Sequence, residues 1–174
     1  MTMMVGGSPG TIYSETDLTQ GKCPILGTKL SVVDPVAGGV KEYVLCKVAA
    51  SNNLISGQVC TINGAFVVTV AAVAAGNTRE DQLGVAITPV TSGTASASTL
   101  IWVQIYGRCS VLASTSILPN VSLKVGTTAG QLTTAGAVTA SAHVKGIVLI
   151  ATSNTAGSLT SAMLNYPRYG TYSF

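Results

Sequence analysis

Acid–base or nucleophilic chemistry needs titratable groups held close together, and a chain of 174 residues with one histidine, His143, and six carboxylates offers few of them. The carboxylates are Glu15, Asp17, Asp34, Glu42, Glu80 and Asp81. Glu80 and Asp81 are adjacent, so on a strand they would point to opposite sides. A nucleophile would have to be Cys60 or Cys109 working with His143, yet no Gly-x-Ser-x-Gly turn or similar nucleophile turn is present. The four cysteines, at positions 23, 46, 60 and 109, are spaced by 23, 14 and 49 residues. That spacing fits neither a Cys-x-x-Cys metal site nor a dense disulfide framework, so they read as reduced, buried small hydrophobes. The glycine-rich pieces GGSPG and VGTTAG lack the Lys-Ser/Thr of a phosphate loop and open no helical pattern; they read as turns. The expectation is a protein without catalysis, metal or cofactor.

Composition points away from several other classes. Charged residues make up 9% of the chain and the net charge is +3, with nowhere three basic residues together. Nucleic-acid binding therefore has no electrostatic footprint, and one Trp, two Phe and six Tyr give no stacking platform. No apolar run is long enough to span a bilayer. The start, MTMMVGGSPG, lacks a basic region followed by an apolar stretch, so the chain is expected to stay where it is made. NVS at 120–122 formally matches a glycosylation acceptor, which carries no weight without export. A surface so poor in charge suits one that is covered in use, by sister copies or a larger assembly. A β-domain solvated by Ser and Thr hydroxyls is the plainer alternative.

The elements that must position these residues look all-β. Residues 1–27 form an N-terminal arm, carrying Gly6, Gly7, Pro9 and Gly10 and no sustained periodicity. From Thr28 the sequence runs as short apolar stretches broken by Gly, Asn, Ser and Pro, which predicts strands at 28–33, 43–49, 58–62, 65–72, 83–88, 99–106, 108–113, 121–125, 131–134, 146–151 and 160–166. Asn63-Gly64 between GQVC and AFVVTV predicts a tight hairpin turn, with Gly126 and Gly130 allowing a longer loop in the same role later. Arg79, Glu80 and Asp81 fall in a predicted surface loop over 71–81.

The chain also repeats itself. YVLCKVAASNNLISG at 43–57 returns as YGRCSVLASTSILPN at 106–120, setting Tyr43 on Tyr106 and Cys46 on Cys109. LGVAI at 83–87 falls on KGIVL at 145–149, and TLIWVQIY at 99–106 on SAMLNYPR at 161–168. Residues 43–105 and 106–168 therefore read as two tandem β units inside one β-domain spanning 28–174. The expected fold is a compact all-β barrel or sandwich built from them, with Cys46 and Cys109 at matching core positions. Strand 99–106 is apolar on both faces, so both must be covered, the outer one by a flanking segment or another subunit. Leu100, Trp102 and Tyr106 are the expected subunit-interface residues.

The stretches LGVAITPVTSGTASASTLIWVQIYGRCSVL and SLKVGTTAGQLTT, with KGIVLIATSNTAGSLTSAMLNYP, resemble the small decoration, or cement, proteins of tailed-bacteriophage heads. The resemblance covers residues 43–168 and lies in a style of β repeat; the first 42 residues depart from it. It implies a β-barrel virion protein on the outer surface of the capsid, often a homotrimer, bound to the major capsid protein and stabilising the shell. Such proteins often carry an N-terminal arm. Here Met3, Met4, Val5, Ile12, Tyr13 and Leu18 are the expected capsid-binding side chains of the arm. The alternative is a β-sandwich binding module of a phage fibre or surface assembly, with a carbohydrate or protein ligand.

Overall fold

The computed structural model describes residues 8–36, 38–50, 52–72, 82–90, 99–135 and 143–170. Met3, Met4 and Val5, and the charged loop at Arg79, Glu80 and Asp81, lie outside them. The elements are β1 (Tyr13–Ser14), α1 (Glu15–Thr19), β2 (Lys29–Val33), β3 (Val40–Val48), β4 (Val59–Ile62), β5 (Val67–Val70), β6 (Gln82–Ala86), β7 (Thr99–Ala113), β8 (Leu123–Val125), β9 (Leu132–Thr134), β10 (His143–Leu149) and β11 (Ser158–Gly170).

Their pairing closes into two rings. β3 pairs with β5, β5 with β4, β4 with β6, β6 with β7, and β7 returns to β3. The second ring repeats the order: β7 with β9, β9 with β8, β8 with β10, β10 with β11, and β11 back to β7. In each ring the first pairing is parallel and the others antiparallel. The fold is thus all-β, two five-strand barrels in tandem, and the strands predicted at 99–106 and 108–113 are one 15-residue strand shared between them. Closure leaves few free edges, a physical advantage for a Val-rich chain.

The correspondence reaches single residues. The isolated bridge Leu54↔Val90 crosses the first barrel and Ile117↔Ser153 the second. Outward pairs recur as well, Leu45↔Trp102 as Arg108↔Met163 and Lys47↔Leu100 as Ser110↔Ser161. Cys46 opposes Ile101 as Cys109 opposes Ala162. Cys46 is fully buried in the first core, whereas Cys109 packs against the second and stays partly accessible.

Two cores result. Inward residues of the first barrel, among them Val44, Val48, Ile62, Ile101 and Val103, form one. The second takes inward residues of β7–β11 together with Val59, Leu83 and Val85, which point outward from the first barrel. β4 and β6 are apolar on both faces because one face fills their own barrel and the other helps fill its neighbour.

The joint lies at Gly107, whose φ of +87° favours glycine. A Cβ there would sit 2.3 Å from the Val40 carbonyl oxygen. Beside it, Gln104 is buried and its Nε2 donates to the carbonyls of Tyr106 and Arg108, both at 3.0 Å. One amide thus ties the chain on both sides of the bend.

The Asn63-Gly64 turn forms differently from the tight two-residue loop expected. Asn63 Oδ1 accepts from the backbone N–H groups of Ala65 and Val67, both at 2.9 Å, and Phe66 takes the left-handed conformation at φ +56°. The asparagine side chain organises a wider loop, and packing of the Phe66 ring against the first core holds an unfavourable backbone.

Candidate docking surface

The arm does not stand away from the body. Tyr13 and Ser14 pair with Leu100 and Thr99 of β7, extending the sheet edge. Ser14 then caps α1: its hydroxyl accepts from the Asp17 N–H at 3.2 Å, and the Asp17 carboxylate accepts from the Ser14 N–H at 2.8 Å. The Ser14 hydroxyl also donates to the Asp17 carboxylate at 2.7 Å, and this bond first, then the one from the Ser14 N–H, holds the Asp17 carboxyl below its ordinary range. Glu15 meets Lys47 of β3 at 2.8 Å. Tyr13, Leu18, Cys23, Leu26, Leu30 and Val32 pack over Tyr43, Leu45, Leu100 and Trp102.

This placement corrects two expectations. Leu100 and Trp102, taken as subunit-interface residues, are 0% and 1% exposed. Their face is covered by the chain's own flanking segment, so they have no surface left to offer a sister copy. Tyr13 and Leu18, expected to bind a capsid, are partly buried on their own barrel for the same reason; Ile12 remains half exposed. Tyr106, the third interface residue, is half-buried and stacks on Tyr166, ring centroids 5.2 Å apart. The Tyr166 hydroxyl donates to Glu42 at 2.9 Å, clasping the end of β11 to β3.

On the second barrel the corresponding outward face carries no such cover among the described residues. Val148 and Met163 oppose each other across β10 and β11, and they are 39% and 44% exposed. Ile150, just beyond β10, and Leu159 on β11 extend the same face and are also about half exposed. Alternation explains the arrangement: Ala162 and Leu164 point into the core, so Leu159, Ser161 and Met163 point out. Sequence reasoning named none of these residues. The repeat as read from the sequence pointed elsewhere, setting Trp102 on Leu164; the strand register instead places Arg108 and Met163 where the covered pair Leu45 and Trp102 stands.

His143 opens β10 opposite Lys124 and Gly170. Cys46, Cys60 and Cys109 have thiol pKa values pushed up to about 12, chiefly by burial, so at neutral pH they are protonated and poor nucleophiles. Among the described residues no group of three or more His, Cys, Asp or Glu side chains is placed to hold a metal ion. No described helix is long and apolar enough to cross a membrane. No protein-family model matches the chain, and a search of curated proteins gives no match.

Proposed function

We propose that the chain is a structural virion protein of a tailed bacteriophage, a decoration protein that binds the outer surface of the capsid and cements the shell without catalysis. The observation that carries this reading is the bare apolar strip of Val148, Ile150, Leu159 and Met163 in a chain whose charged fraction is only 9%. These side chains are already about half-buried, so covering the remainder contributes about 0.7–1.5 kcal/mol each, a gain repeated at every copy on a lattice. A rigid double barrel suits that task, since its docking face loses little conformational freedom on binding. The resemblance of residues 43–168 to capsid cement proteins favours the major capsid protein as partner, and self-association as a homotrimer belongs to the same reading.

The test is co-sedimentation of the purified chain with undecorated heads of the virus that encodes it. Saturable binding, weakened by Met163→Lys and Val148→Lys while both variants keep wild-type melting, is the expected result. Heads that leave the protein in the supernatant at all concentrations would end the proposal. The symmetry of a decorated particle map would show whether three copies sit together.

A further inference from the structure

A cleft of about 590 Å³ opens at the joint between the barrels, within the size range of ligand sites, about 300–1,000 Å³. One wall is the β2–β3 hairpin with Val36, which is 93% exposed, and the floor is formed by Arg108, Ser110 and Ser161. The floor runs on into the apolar strip, because Arg108 opposes Met163 and Ser110 opposes Ser161. Lys41 and Asp34 at the rim neutralise each other in an ion pair of 2.8 Å. Arg108 is exposed and makes no ion pair among the described residues, which leaves the cleft with one uncompensated positive charge.

We infer that the cleft and the adjoining strip receive an extended segment of a partner protein, carrying a carboxylate flanked by apolar side chains. This deepens the docking reading above and rests on it for the identity of the partner. The chain contains its own precedent: residues 13–32 lie across Leu45 and Trp102 on the first barrel, and Arg108 and Met163 are the equivalent pair on the second. Where the first barrel presents Leu45 the second presents Arg108, so the covering segment needs a carboxylate at that point. A guanidinium accepts one in a two-pronged, charge-assisted pair. A small free anion would satisfy Arg108 and leave Met163 and Val148 in water; a segment covers both.

Selection of random displayed peptides on the full-length chain, with counter-selection on Arg108→Ala, tests the inference without any phage head. The expected outcome is enrichment of peptides with Asp or Glu beside apolar residues. These should bind at least about tenfold more weakly to Arg108→Ala and to Met163→Lys, as loss of a charge-assisted pair or of apolar cover requires. Arg108→Lys, which keeps the charge and loses the fork, should fall between. Both side chains are exposed, so matched melting curves will separate lost binding from lost folding. The inference is overturned if no peptide is enriched, if the enriched peptides lack an acid, or if binding ignores both substitutions. Since no head enters this experiment, failure here and failure of head binding are read separately.

Discussion

Asn120 stands in the second barrel where Gly57 stands in the first, 63 residues earlier, and both hold left-handed backbone, at φ +61° and +85°. Each N–H donates to the matching strand end, Gly57 to the Ala86 carbonyl at 2.8 Å and Asn120 to the Leu149 carbonyl at 3.3 Å. One turn has therefore been kept with two residue types, the two that tolerate this conformation best. Asn120→Gly should change stability by less than about 0.5 kcal/mol, whereas Gly57→Ala should cost about 1–2 kcal/mol for the backbone alone. Denaturant midpoints will check the order; equal losses at both sites would contradict the equivalence.

Gly107 sets a harder constraint. At Gly57 an added Cβ would meet the end of the Leu159 side chain, which is exposed and free to turn away. At Gly107 it would meet the Val40 carbonyl oxygen and, at 3.1 Å, the Lys41 Cα, backbone atoms held by the β2–β3 pairing. Gly107→Ala is expected to cost about 3 kcal/mol or more and to lower the melting temperature further than Gly57→Ala does. The reverse order would show that the joint between the barrels is softer than its geometry implies.

The repeat was legible because unusual residues mark it, Tyr43 with Tyr106 and Cys46 with Cys109, and because short apolar runs place strands well. Ring closure was not. The parallel pairs Lys47↔Val67 and Ala113↔Leu132 join strands that no hairpin turn connects, so nothing local in the sequence announces them. The break expected between 106 and 108 was Gly107, which reads as a strand end and serves as a bend within one continuous strand. The arm looked loose because Tyr13, Leu18 and Leu26 follow neither the period of a strand nor that of a helix; they suit a surface made by other residues. The strip at Val148 and Met163 was hidden for another reason. In a Val- and Ala-rich chain an apolar residue facing outward looks like any other strand residue.

The buried thiols predict a specific loss of stability in alkali. Burial pushes the Cys46, Cys60 and Cys109 thiols up to about 12 in the folded chain, against an ordinary value of 9.0. A folded-state pKa raised above the unfolded one means that the unfolded chain releases its protons first. The stabilisation is complete below pH about 9 and declines as pH rises toward about 12, by up to about 1.4 kcal/mol per pH unit for each thiol. Melting scans across this window should show the decline, and a Cys60→Ala variant should show a shallower one. A flat profile from pH 9 to 11 would mean that these thiols ionise as easily as free cysteine.

The chain's single tryptophan makes the cover over the first barrel measurable. Trp102 is 1% exposed beneath the segment that includes Tyr13 and Leu18, and its Nε1 is buried without a hydrogen-bond partner. A chain beginning at residue 21 loses β1, α1 and the Glu15–Lys47 pair, and it uncovers Leu100 and Trp102. Two opposed terms decide the result. Exposing this apolar area costs about 2–4 kcal/mol, while hydration of the indole N–H returns about 1 kcal/mol or more. The partly exposed ion pair adds little, about 0.5 kcal/mol. A net loss of roughly 1–3 kcal/mol is expected, together with red-shifted Trp102 emission and easier quenching by iodide. Glu15→Gln in the full chain should leave the emission unchanged, since apolar packing and the β1 pairing hold the cover in place. If the truncated chain keeps both its melting temperature and its blue emission, the segment is an ornament on the barrel, and the comparison that makes the second barrel's face look bare loses its force.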